Sequence, residues 1–107
     1  MQIENLQFSN PTPKIGDEIF FSFNLNLKTK KKQKVRLEYI VHFVKSNGKT
    51  SPKVFQIKEV VLAQGIHAVQ KKHTFANMST RKHFAGQHKF QFVVNGEVKA
   101  EQTVTVN

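Results

Sequence analysis

From Ile19 to Leu27 every second residue is apolar: Ile19, Phe21, Phe23, Leu25 and Leu27 alternate with Ser22, Asn24 and Asn26. A period of two predicts a strand with one buried face, because successive side chains leave a strand on opposite sides. Phe20 is the one large apolar residue on the polar side of that run. Val35, Leu37, Tyr39, Val41 and Phe43 repeat the pattern against Arg36, Glu38 and His42, with Ile40 and Val44 as apolar exceptions on the outer side. The segment from Val54 to Leu62 is more continuously apolar, and Val69 and Phe75 mark a weaker strand. Phe90, Phe92 and Val94 then alternate with Lys89, Gln91 and Val93, and Val98, Ala100, Val104 and Val106 follow. Ile3 to Phe8 is expected to open the chain as a further strand.

Turn signals separate these runs at Pro11 to Gly16, Lys28 to Gln33, Asn47 to Pro52, Gln64-Gly65 and Ala85-Gly86. Asn95-Gly96 between two alternating runs predicts an antiparallel hairpin, since a type I′ turn needs positive φ at both central positions. No helical period competes with the strands, and β-branched and aromatic residues dominate the apolar set. About seven short strands in 107 residues predict an all-β, immunoglobulin-like antiparallel sandwich, a single domain over residues 1–107 with no disulfide. A partly open barrel with an oligonucleotide-binding face is the alternative architecture. Most of the ten phenylalanines are expected between the sheets, with Phe20 and Phe84 as the candidates for exposure.

Charge changes the picture next. Seventeen Lys and Arg face seven Asp and Glu, a net charge of +10, and an excess of this size in a small domain favours a polyanionic partner. The absence of cysteine excludes a disulfide framework and any thiolate nucleophile or metal site. The N-terminal stretch has no signal-peptide pattern and no segment has the apolar length of a membrane span, so a soluble, cytoplasmic protein without a membrane partner is expected.

The cations form three groups. Lys28, Lys30, Lys31, Lys32, Lys34 and Arg36 crowd the second connection; Lys45, Lys49 and Lys53 ring the next; Lys71, Lys72, His73, Arg81, Lys82 and His83 surround a later, longer one. Lys45, Asn47, Lys49, Ser51 and Lys53 are the better anion site, because an amide, a glycine that lets backbone approach, ammonium groups and hydroxyls follow one another in order. Ser79, Thr80, Arg81 and Lys82 are its candidate companion, with hydroxyls beside a guanidinium suited to a bidentate phosphate grip. The run from Lys28 to Lys34 reads equally well as a solvated turn. Enzyme chemistry is not indicated: the carboxylates are scattered, and no paired acid and base, nucleophile elbow or glycine-rich phosphate loop is present. The five histidines lack metal-ligand spacing, so no metal and no cofactor are expected; His42 is expected to face outward, and His88 to serve as a hydrogen-bonding corner of the sandwich.

The stretches HFVKSNGKTSPKVFQIKEVVL and KKHTFANMSTRKHFAGQHKFQFVVNG, in that order, resemble the immunoglobulin-like domain at the C-terminus of AlkC-type bacterial alkylpurine DNA glycosylases, of the HEAT-like repeat DNA alkylation repair family. The resemblance covers roughly His42 to Gly96. It implies a DNA-repair accessory domain that clasps duplex DNA by its phosphate backbone beside a HEAT-like repeat domain in cis or trans. It implies no catalytic residue here, since glycosylase chemistry would lie in a helical region absent from this chain. It carries over Lys45, Asn47, Lys49, Ser51 and Lys53, with Ser79, Thr80, Arg81 and Lys82, as DNA-binding positions, and His73 and His88 as scaffold. The lysine turn matches no motif of the family. The rival reading from the residues is a protein-interaction sandwich that docks on a repeat domain or other partner through an apolar edge, its charge serving solubility.

Overall fold

The computed structural model describes residues 1–77 and 82–107. Its described residues form seven strands and no helix: β1 (Gln2–Phe8), β2 (Glu18–Leu27), β3 (Gln33–Val44), β4 (Thr50–Leu62), β5 (Gly65–Thr74), β6 (Gly86–Val94) and β7 (Glu97–Val106). They make two antiparallel sheets, β1-β2-β5 and β4-β3-β6-β7. This is the immunoglobulin-like sandwich that the alternation predicts, and the two separate sheets exclude the barrel.

The alternating residues become the core. Ile19, Phe21, Phe23, Leu25 and Leu27 of β2 face Val35, Leu37, Tyr39 and Val41 of β3 and Phe90, Phe92 and Val94 of β6, all buried. Phe21 lies 5.0 Å from Tyr39 and 5.0 Å from Phe92 in edge-on geometry, an arrangement that sets the positive ring edge against a negative face. Tyr39 stacks on Phe55 at 5.0 Å, and its hydroxyl is hydrogen-bonded to His73 Nδ1 at 2.9 Å. The core thus ties β3 to β4 and β5 as well as to β2.

Two boundaries differ from the sequence reading. β4 begins at Thr50, so Thr50 to Lys53 belong to a strand rather than to the turn, paired in register from Val44↔Thr50 to Val41↔Lys53. Pro52 is tolerated there because β4 is an edge strand with no partner on its far side. β5 begins at Gly65, earlier than its apolar residues signal, because it pairs along its whole length with β2 from Leu27↔Gly65 to Glu18↔Thr74. The Asn95-Gly96 hairpin forms as expected, with φ of 50° and 82°.

In the constant-type immunoglobulin arrangement the fourth strand sits in the sheet of the fifth. Here β4 stays with β3, and β5 with β2. The edges of β4 and β5 therefore lie on the same side of the sandwich, while β1 and β7 meet on the other. The molecule is elongated, 47 × 22 × 20 Å.

Candidate functional site

β3 and β4 run to the end of their sheet, where the Val44 N–H reaches His88 of β6. They close over a tight tip. The Lys45 N–H donates to the Lys49 carbonyl at 2.7 Å, and the Gly48 N–H to the Lys45 carbonyl at 3.0 Å. Gly48 sits at φ 82°, the left-handed position that a short hairpin turn followed by a bulge requires. Asn47 Oδ1 accepts the Lys49 N–H at 3.0 Å, so what Asn47 offers outward is its NH2 group. The Ser46 and Asn47 N–H groups have no acceptor among the described residues and stand exposed between Lys45 and Lys49. Adjacent free amides flanked by ammonium groups form an anion-binding concavity.

Ser51 and Lys53 are not at this tip. Ser51 lies opposite Phe43, and Lys53 opposite Val41, which puts both on the inner side of β4, since directly paired residues share a face. The Lys53 ammonium lies 5.7 Å from the centre of the Phe55 ring, within cation–π reach.

The later connection comes to the same end of the molecule. Asn77 Oδ1 accepts the His83 N–H at 2.7 Å, closing the base of the loop. The His83 ring packs against Phe43 at 5.5 Å and Phe75 at 5.7 Å. His83 is buried and Lys82 beside it is exposed. Lys82 thereby joins Lys45, Asn47, Lys49, Ser51 and Lys53 at one end of the sandwich. Ser79, Thr80 and Arg81 lie outside the described residues.

His73 and His83, which the sequence grouped with the cations, are core residues, and so is His88. All three rings meet Phe43 and Phe75: His73 is 4.9 Å and His88 5.5 Å from Phe75. His88 is hydrogen-bonded on both ring nitrogens, to the Val44 N–H at 3.4 Å and to the Gly86 carbonyl at 3.2 Å, and burial lowers its pKa. It is the corner residue expected, and it anchors the stem of the hairpin to the start of β6. Among the described residues no three of His, Asp and Glu converge as metal ligands.

Elsewhere five of the described cations are matched by carboxylates. On the outer face of the larger sheet Arg36 meets Glu38 at 3.3 Å, Lys34 meets Glu59 at 3.8 Å and Lys89 meets Glu101 at 4.0 Å. There His42 faces outward, as expected, and Nε2–H donates to Gln91 Oε1 at 2.7 Å, while Gln91 Nε2 donates to Glu101 at 2.6 Å. Lys72 pairs with Glu18 at 3.0 Å. Lys45, Lys49, Lys53 and Lys82 have no carboxylate within 4.0 Å among the described residues. Lys28, Lys30, Lys31 and Lys32 are likewise unmatched but sit at the far end of β3, where Gln64 Nε2 braces the turn on the Lys28 carbonyl at 3.1 Å. No signal in the sequence distinguished matched from unmatched lysines, since every pair but Arg36–Glu38 and Lys99–Glu97 joins different strands.

Comparison with known proteins agrees with this architecture. YhaZ of Bacillus subtilis (strain 168) is 37% identical over 86 residues, covering 79% of this chain and 24% of that protein. Alkylpurine DNA glycosylase AlkC of Pseudomonas fluorescens, solved bound to DNA containing an abasic site analog, superposes with a TM-score of 0.95 at 29% identity, over 99% of this chain and 30% of that one. A β-glucosidase, EmGH1 of Erythrobacter marinus, shares the fold alone, with a TM-score of 0.76 at 11% identity over 98% of this chain and 15% of that one. The chain thus spans less than a third of the length of these relatives. The family described as "Uncharacterised protein YhaZ, C-terminal Ig-like domain" matches residues 2–107, and the chain belongs to it.

Proposed function

We propose that this domain is a non-catalytic accessory module of DNA alkylation repair that holds duplex DNA by its phosphate backbone. The grip is the tip of the β3–β4 hairpin, Lys45, Asn47 and Lys49, with Ser51 and Lys53 on its flank and, as further phosphate contacts, Ser79, Thr80, Arg81 and Lys82. The observation that carries this reading is the tip itself, two free backbone N–H groups between unmatched lysines. The likeness to a glycosylase solved on DNA supplies the polyanion. Base excision, in this reading, belongs to a HEAT-like repeat region in cis or trans, and the setting is the cytoplasm.

A backbone grip reads no sequence and depends on salt, because each neutralised phosphate releases counterions. With about four cations engaged, log affinity should fall with log salt at a slope of about −3 to −4. Fluorescence anisotropy of a labelled duplex at several salt concentrations measures this; no binding at low salt, or a flat response, overturns the reading.

A second reading rests on a different observation. Val61 and Ile66 are 59% and 64% exposed, flanking the β4–β5 connection, and would suit a protein partner such as the repeat domain. Under that reading alone, neutralising the tip lysines leaves function intact.

A further inference from the structure

We infer that the duplex, if held as proposed above, lies along the β4–β5 side of the sandwich and not only against the hairpin tip. The inference rests on that reading and on the register of three lysines. Lys53 and Lys58 of β4 pair with Val41 and Leu37, and Lys71 of β5 pairs with Phe21. All three partners are core residues. By register Lys53 and Lys71 belong to the inner faces of the two sheets, and Lys58 shares the place opposite Leu37 with Ile57, which packs against the core.

They are not fully buried, because β4 and β5 are the edge strands of their sheets on one side of the sandwich, where Phe55 and His73 meet at 5.4 Å. Lys53 and Lys58 are exposed and Lys71 is half-buried, and none has a carboxylate within 4.0 Å among the described residues. A bulge keeps Lys58 in this register: Leu37↔Lys58 is followed by Glu38↔Gln56, so Ile57 is an extra residue. Without it Lys58 would exchange faces.

Like charges lined up along one side of the sandwich repel each other. Inward lysines on edge strands do guard against edge-to-edge pairing, but a stripe of one sign also raises the local potential and draws in counterions. The seam joins the two unmatched ends, with Lys45 and Lys49 at the tip and Lys28 at the braced turn. The whole stripe runs along the 47 Å axis, the length of about 14 base pairs. A ridge of that length parallel to a duplex meets the same strand twice, about 34 Å apart.

The test measures the salt slope on one duplex of about 20 base pairs, so that only the protein changes. Lys58→Gln with Lys71→Gln should reduce the slope by about 2, close to 0.9 for each lost phosphate contact. A thermal melt checks folding; if the double variant is destabilised, the exposed Lys58→Gln alone should reduce the slope by about 0.9. An unchanged slope in the seam variant, with a reduced slope in Lys45→Gln/Lys49→Gln, overturns the inference and leaves the tip grip standing. Absence of binding by the unaltered domain overturns both.

Discussion

His88 Nε2 lies 3.4 Å from the Val44 amide nitrogen and accepts its hydrogen bond. A ring nitrogen that accepts is unprotonated, so the proton of the neutral ring is on Nδ1, which donates to the Gly86 carbonyl at 3.2 Å. The neutral imidazole therefore ties the last residue of β3 to the first of β6, directly under the cationic hairpin.

This relationship fixes a pH dependence. Burial lowers the His88 pKa from 6.5, more than the Gly86 bond raises it. Between the folded value and 6.5 the unfolded chain binds more protons, so stability rises with pH there. The contribution is complete above 6.5 and is lost as pH falls from 6.5 toward the folded value. Melting temperature followed from about pH 7.5 to about pH 5 should fall more steeply in the unaltered domain than in His88→Phe. The variant should also be less stable at neutral pH by about 1–3 kcal/mol, for the stranded Val44 N–H. Equal pH slopes would remove His88 as the cause.

Gly86 and Gly48 separate two costs of adding a methyl group. Both have positive φ, 141° and 82°. A Cβ at Gly86 would lie 3.1 Å from Val44 Cγ2, whereas nothing lies within 4 Å of one at Gly48. Gly48→Ala should cost about 1 kcal/mol from backbone strain alone, and Gly86→Ala should cost more, about 2–3 kcal/mol, from strain and crowding together. Urea denaturation of the two variants compares them directly.

The fold is legible in the sequence because one residue type per face decides it: Ile19 to Leu27 can bury one side only. The tip at Asn47-Gly48 was legible for the same local reason, since its turn needs a residue tolerant of positive φ. What was hidden depends on pairing across strands. Lys72 and Lys49 look alike in the chain, yet one is neutralised by Glu18. His83 follows two cations and reads as one of them, but Phe43 and Phe75, distant in sequence, enclose it. Ser51 and Lys53 read as turn residues because Pro52 between them argues against a strand, and only the edge position of β4 makes that proline harmless.

Asn95 holds the far end of the domain together. Its Oδ1 accepts the Arg36 N–H at 2.8 Å, its Nδ2 donates to the Lys34 carbonyl at 3.2 Å, and its own N–H donates to the Arg36 carbonyl at 3.0 Å. Asn95→Ala loses two side-chain hydrogen bonds and places alanine at φ 50°. A loss of about 2–3 kcal/mol is expected in chemical denaturation. Asn95→Asp keeps the acceptor and should recover part of it; a variant as unstable as the alanine one would show that the Nδ2 bond dominates.

The proposed DNA grip is separable from net charge by pairs of substitutions that change charge equally. Lys45→Gln/Lys49→Gln and Lys72→Gln/Lys89→Gln each remove two positive charges. Lys72 and Lys89 already face Glu18 and Glu101, at 3.0 and 4.0 Å, while Lys45 and Lys49 flank free backbone amides. If charge were a diffuse attraction, the two double variants would weaken duplex binding alike. If phosphates seat at the tip, the first should reduce the magnitude of the salt slope by about 1.8, and the second by well under half of that. Exposed lysines contribute little to folding, so both variants should melt with the unaltered domain, and anisotropy titrations across salt then read the interface alone. Equal slopes for the two variants would assign the attraction to the whole +10 surface and remove the tip as a site.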